Sequence, residues 1–195
     1  MIRPSLRPAI VLVVAMLAGC ASQKSDFYTL SVEAPSDTTR STEMISVVVG
    51  AVTVPELIDR PQIVIRGGAN QVDIDEFARW AEPLKSQIPR VIAGDLALVL
   101  NSPRVSVYPI AGDSAGAFRV RTDVERFDAV PGESVTVDVM WSVSPPGKGR
   151  PISGRTTVRE PCTGPGYGAL VAAWSRALAT VSRDIASAIR PAPAL

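Results

Sequence analysis

Asp73, Asp75 and Glu76 set three carboxylates within four positions, the raw material of a metal site or an acid/base pair. Alternating acids at the end of a strand more commonly form a solvated face, and no other ligand type lies beside them. Gly164, Gly166 and Ala169 spell the G-x-G-x-x-G/A pattern between a predicted strand and a predicted helix. A dinucleotide site also needs a following parallel strand and an acid about twenty residues on. Here no strand follows the helix and Asp184 lies inside it, so the glycines read as a helix-entry turn. Serines are numerous, but the chain has no histidine and no G-x-S-x-G elbow. The commonest general base and the commonest metal ligand are therefore missing, which argues against a hydrolase and against any enzyme. No cofactor is expected.

The remaining chemistry belongs to cysteine. Cys20 closes Leu17-Ala18-Gly19-Cys20, preceded by Arg3, Arg7 and an uncharged apolar run over residues 9–18. A basic start, a short apolar core and small exit residues make a secretory signal, too short for a membrane span. Small residues followed by Cys resemble a bacterial lipoprotein lipobox. That resemblance implies that residues 1–19 are removed and that Cys20, now residue one, is lipidated on sulfur and acylated on its amino group. One chain alone binds membranes marginally, at about 0.8 kcal/mol per buried methylene, but several on one residue give a lasting anchor. Ala21, rather than Asp, follows the lipidated position, which by analogy with Gram-negative sorting favours the outer membrane. Cys162 is then left alone, with no intramolecular disulfide and no cysteine zinc site open to it.

Composition narrows the partners. Removing the leader takes two of 20 basic groups and none of 19 acidic ones, leaving a nearly neutral chain with no electrostatic case for nucleic acid. The length suits one domain with a sizeable core. The expected layout is a signal at 1–19, a lipidated tether at 20–26, one domain over 27–190 and a frayed tail at 191–195.

Periodicity supplies the elements. Strands are predicted at 27–32, 44–54, 62–66, 71–74, 104–108, 118–125, 135–143 and 152–160; the seventh alternates without error between Val135, Val137, Val139, Trp141, Val143 and polar or flexible neighbours. Turn-rich loops are expected at 35–43 and 111–117. Leu84, Ile88, Val91, Ile92, Leu96, Val99 and Leu100 recur at helical spacing behind Pro83, with Pro89 expected to kink that helix or mark its true start. Tyr167, Leu170, Val171, Trp174, Leu178, Val181, Ile185 and Ile189 form a longer apolar stripe, ended by Arg190-Pro191. The order predicts an α+β fold: a mainly antiparallel sheet with two helices packed on one face.

Two stretches combine opposite charges with a rigid turn or a large aromatic: Asp59-Arg60-Pro61-Gln62-Ile63-Val64 and Arg79-Trp80-Ala81-Glu82-Pro83-Leu84. Trp80 is either an interface anchor, as aromatic and Arg groups often are, or a plug at the sheet–helix junction. Together with Cys20, Phe27-Tyr28-Thr29-Leu30 and the strand at 105–109, these stretches resemble the PqiC/YmbA-type ABC-transport auxiliary lipoproteins over nearly the whole mature chain.

The resemblance implies a non-catalytic outer-membrane lipoprotein. Its partners would be an MCE-domain periplasmic protein and the ABC permease complex of an intermembrane system for lipids or other hydrophobic solutes. It would dock the periplasmic conduit at the outer membrane, with partner contacts at Asp59, Arg60, Gln62, Arg79, Trp80 and Glu82. A conduit end needs a wide apolar collar, and a homo-oligomeric ring is one way for a small domain to supply it. The alternative is a periplasmic carrier holding a single acyl chain between sheet and helices.

Overall fold

The longest stretch of regular pairing is an antiparallel meander. β6 (Phe118–Val130), β7 (Ser134–Ser144) and β8 (Ile152–Pro161) pair in sequence, with Val137 opposite both Phe127 and Val158. Period-two alternation sends Val120, Val124, Val135, Val137, Val139 and Val143 to one face, all nearly fully buried. In this computed structural model, which describes residues 23–33, 45–107 and 116–190, that face is covered by helices and the opposite face is open. The signal at 1–19, Cys20, Ala21, the loop at 35–43, most of the loop at 111–117 and the tail at 191–195 lie outside the described residues.

β2 (Val47–Thr53) joins β6 in parallel, and the short β5 (Val105–Ser106) joins β2 in parallel, giving the order β5-β2-β6-β7-β8. A smaller sheet, β1-β4-β3, is built from β1 (Asp26–Tyr28), β4 (Gln71–Trp80) and β3 (Gln62–Gly68). β3 and β4 form a hairpin, while β1 lies parallel to β4. The fold is α+β as expected, with one correction. The strands form two mixed sheets, and parallel pairings (β1 with β4, β2 with β5, β2 with β6) are as many as antiparallel ones among the described residues. The cause is topological. The chain leaves β2, builds the hairpin and a helix, and returns beside β2 in the same direction, a crossover connection that only a parallel strand can close.

α1 (Leu84–Val99) packs on β2 and β5, and α2 (Gly166–Ile189) on β7 and β8; the two helices also pack against each other. Pro89 sits inside α1 without ending it. Its ring is buried and the residue four positions earlier, Lys85, is exposed, so water can reach the carbonyl that loses its donor. α2 begins where the glycines were placed: Gly164 (φ 126°) and Gly166 (φ 78°) adopt left-handed backbone at its entry. Phe127 and Trp174 stack at the centre of the core, ring centroids 4.8 Å apart and 4° from parallel, with Trp80 tilted against both.

Candidate functional site

β1 is only three residues long, and the chain that follows it belongs to no strand. Residues 29–33 lie as a strap over the seam between α1 and α2, and its amides are satisfied by buried side chains. The Leu30 N–H donates to Gln87 Oε1 (2.8 Å), the Ser31 N–H to Ser175 Oγ (3.1 Å) and the Glu33 N–H to Asp95 Oδ1 (2.9 Å). Gln87 is fixed in turn by donating Nε2 to the Glu82 carbonyl (2.6 Å). Val32 lies over Gly94, where a Cβ would fall 2.4 Å from Val32 Cγ2, so the strap's close approach requires glycine. The same contacts fix the helix directions. Gln87 and Ser175 accept from neighbouring strap amides, Ser182 meets Asp95 farther along both helices, and Arg190 donates to the Leu100 carbonyl at the ends. α1 and α2 therefore run parallel, with both N-termini at the end where β1 enters.

That end, the β1 pole, also gathers the two motif stretches. Gln62 is opposite Arg79, and Phe27 is opposite Arg79 on the other side of β4. Asp59 pairs with Lys85 (2.6 Å), Gln62 donates to Glu76 (3.0 Å), Arg79 donates to the Glu76 carbonyl (2.9 Å), and Glu82 pairs with Arg90. Arg60 is exposed. Trp80 is 4 % exposed and its ring belongs to the core cluster with Phe127 and Trp174, so it occupies the junction position rather than the surface. Such exposed ion pairs contribute about 0–1 kcal/mol each.

The acidic trio resolves into a structural device. Asp75 Oδ1 accepts the N–H of Phe77 (2.8 Å) and of Ala78 (3.3 Å), closing a bulge where the register of β4 jumps between Asp75 and Arg79. The Phe77 amide is the main cause of holding the Asp75 carboxyl below its usual range, and the Tyr167 hydroxyl adds to it. Burial first, then that same bond, pushes the Tyr167 hydroxyl up to about 12. Tyr28 packs on Tyr167, centroids 5.9 Å apart, locking β1 to the start of α2. Among the described residues no group of three or more acids and cysteines is placed to hold a metal ion. Cys162 is a half-buried thiol at the β8–α2 turn, raised from its ordinary range by burial, with its N–H bonded to the Glu133 carbonyl (3.0 Å).

The open face of the five-stranded sheet carries a broad, shallow groove of about 710 Å³. Val48, Ala51, Thr53, Arg121, Met140 and Ser142 line it, and Met140 is half exposed. Its lining residues pair across the start of β6 and the end of β7, which puts it toward the pole opposite β1. The sequence gives Met140 and Ser142 only as the outward members of an alternating strand; nothing in a single strand says that the neighbouring face stays uncovered. On the inner side, Trp174, Leu178, Val181 and Ile185 from α2 fill the space against the sheet, each at most 1 % exposed. No helix among the described residues is long and apolar enough to cross a membrane.

Comparisons with known proteins place this arrangement. A search of curated proteins returned no match. Among the solved structures that share the fold are two crystal structures, both at sequence identities that speak to the fold alone. One, titled as an uncharacterized protein, superposes with a TM-score of 0.69 at 20% identity, covering 86% of this chain and 99% of its own. The other, a DUF330 protein from Xanthomonas campestris, gives a TM-score of 0.67 at 19% identity, over 85% of this chain and 94% of its own. The profile of one family matches residues 28–186, from the Tyr28 that locks β1 to the last turns of α2. The chain belongs to the family of ABC-type transport auxiliary lipoprotein components.

Proposed function

We propose that this auxiliary component is a non-catalytic adaptor, held at the periplasmic face of the outer membrane by lipid on Cys20. There it docks the MCE-type periplasmic conduit of an intermembrane system for lipids or other hydrophobic solutes. The observation that carries the reading is the division of the domain into a closed interior and an open face. Among the described residues the space between sheet and helices is filled by side chains, which favours an adaptor over a carrier, and the groove around Met140 offers apolar and polar surface to a protein. A groove on one small domain is narrow for a conduit end, and a ring of identical copies would widen it.

The test is photocrosslinking in intact envelopes from Met140, which is half exposed, so that a bulky photoreactive residue there is tolerated. Capture of the MCE-domain protein, with native mass spectrometry showing a protein complex free of stoichiometric lipid, is the expected result. A one-to-one lipid complex without protein partners would establish the carrier instead.

A further inference from the structure

We propose that the β1 pole, tethered through Cys20, lies against the lipid surface that holds that anchor, with Phe27 set among the lipid headgroups. The inference rests on the lipidation of Cys20 and adds the orientation that lipidation alone leaves open. Five residues separate Cys20 from the start of β1 at Asp26, six steps of chain with a reach of about 20 Å when fully extended. The domain is longer than that. α2, with 24 residues, spans about 36 Å, and β7, with 11, about 37 Å. The far pole therefore cannot meet the membrane while β1 stays in its sheet. The pole that can meet it is where both helices begin.

Its surface suits that place. Phe27, on the strand that receives the tether, is 64 % exposed, the highest among the described large apolar residues, and Leu57 and Phe77 are exposed on neighbouring segments. Lys24 and Arg60 are exposed around them, Lys85 and Arg90 are engaged by Asp59 and Glu82, and the exposed acids Asp26 and Glu56 leave the pole close to neutral. An exposed aromatic ring at the end of a short anchor, on a pole without net charge to repel lipid, is the composition of a headgroup-level contact. The assignment gives the lipid a surface that the motif stretches first suggested for a protein partner. It leaves the Met140 groove, at the other pole, facing away from the membrane.

The chain's own lysines test it. Lys24 and Lys85 sit at the tethered pole and Lys148 in the β7–β8 turn at the opposite one. The full lipidated protein is placed in phosphatidylethanolamine–phosphatidylglycerol vesicles, recovered by flotation, and exposed to a membrane-impermeant amine-acylating reagent. Acylation is read by mass spectrometry against the same protein in detergent. The expected result is a several-fold loss of reactivity at Lys24 and Lys85 with Lys148 unchanged. Phe27→Glu should restore reactivity at Lys24 while the protein still floats and melts normally. If the protein floats but all three lysines react as in detergent, or Lys148 alone is protected, the orientation is wrong and the anchor stands. If the protein does not float, the anchor and the orientation fall together.

Discussion

Asp95 is the residue whose burial has the clearest consequence. It is 1 % exposed, its carboxyl accepts the Glu33 amide and the Ser182 hydroxyl, and Glu33 and Arg183 are the charges that act on it. Burial, opposed by the Glu33 amide and outweighing it, raises its pKa from 3.8 to about 7. Between those values the folded chain binds more protons than the unfolded one, so this group's part of the stability is greatest below about pH 4. It declines as pH rises and levels off above about 7. Asp95→Asn keeps an oxygen for the Glu33 amide and removes the titration. The difference in Tm between variant and wild type should therefore grow in the variant's favour from pH 4 to pH 8, by a few degrees, in thermal melts. A difference that is flat with pH would mean that Asp95 is ionised in the fold. Gln87 tests the strap's other end. Gln87→Ala strips the acceptor from the buried Leu30 amide and should cost about 1–3 kcal/mol. Hydrogen exchange at Leu30 should rise along with it.

At the scale of the element, sequence and structure part where pairing is non-local. β7 was legible because every second residue from Val135 to Val143 is apolar, and both helices because their stripes are long. The run at 27–32 reads as one strand for the same reason, yet only Asp26–Tyr28 pair with β4; the rest finds its acceptors on Gln87, Ser175 and Asp95, 57 or more positions away. β4 was legible only to Ile74, since its second half runs through Asp75, Glu76 and a bulge that breaks the period. The parallel pairings of β2 leave no local mark at all. Within the meander, Gly154 faces Trp141, whose Nε1 donates to Thr156 Oγ1 (2.9 Å), which in turn donates to Asp184 (2.7 Å). A Cβ on Gly154 would fall 2.3 Å from that ring. Gly154→Ala should therefore displace Trp141, red-shift the tryptophan emission and lower stability by about 1–3 kcal/mol. Unchanged emission would show that the strand edge yields instead of the ring.

At the scale of the whole molecule the two motif stretches and the Met140 groove lie at different ends of the domain. The Asp59 and Arg79 stretches were legible as something unusual, but which of their side chains face outward was not. Trp80 is core, Gln62 and Arg79 share Glu76, and Asp59 and Glu82 hold cations of α1. The Met140 groove was illegible because it is assembled from strands as distant as Val48 and Ser142. What results is a packed domain with β1 at one pole and an open surface toward the other; the proposed adaptor role adds a lipid tether at the β1 pole. That role depends on Cys20 being the point of attachment. The most direct measurement is the intact mass and membrane fractionation of the mature protein beside Cys20→Ser. The account predicts a chain beginning at Cys20, heavier by its acyl chains and sedimenting with the outer membrane, and a Cys20→Ser protein that is unacylated and released. A wild-type chain of unmodified mass, or one that fractionates as Cys20→Ser does, would contradict it.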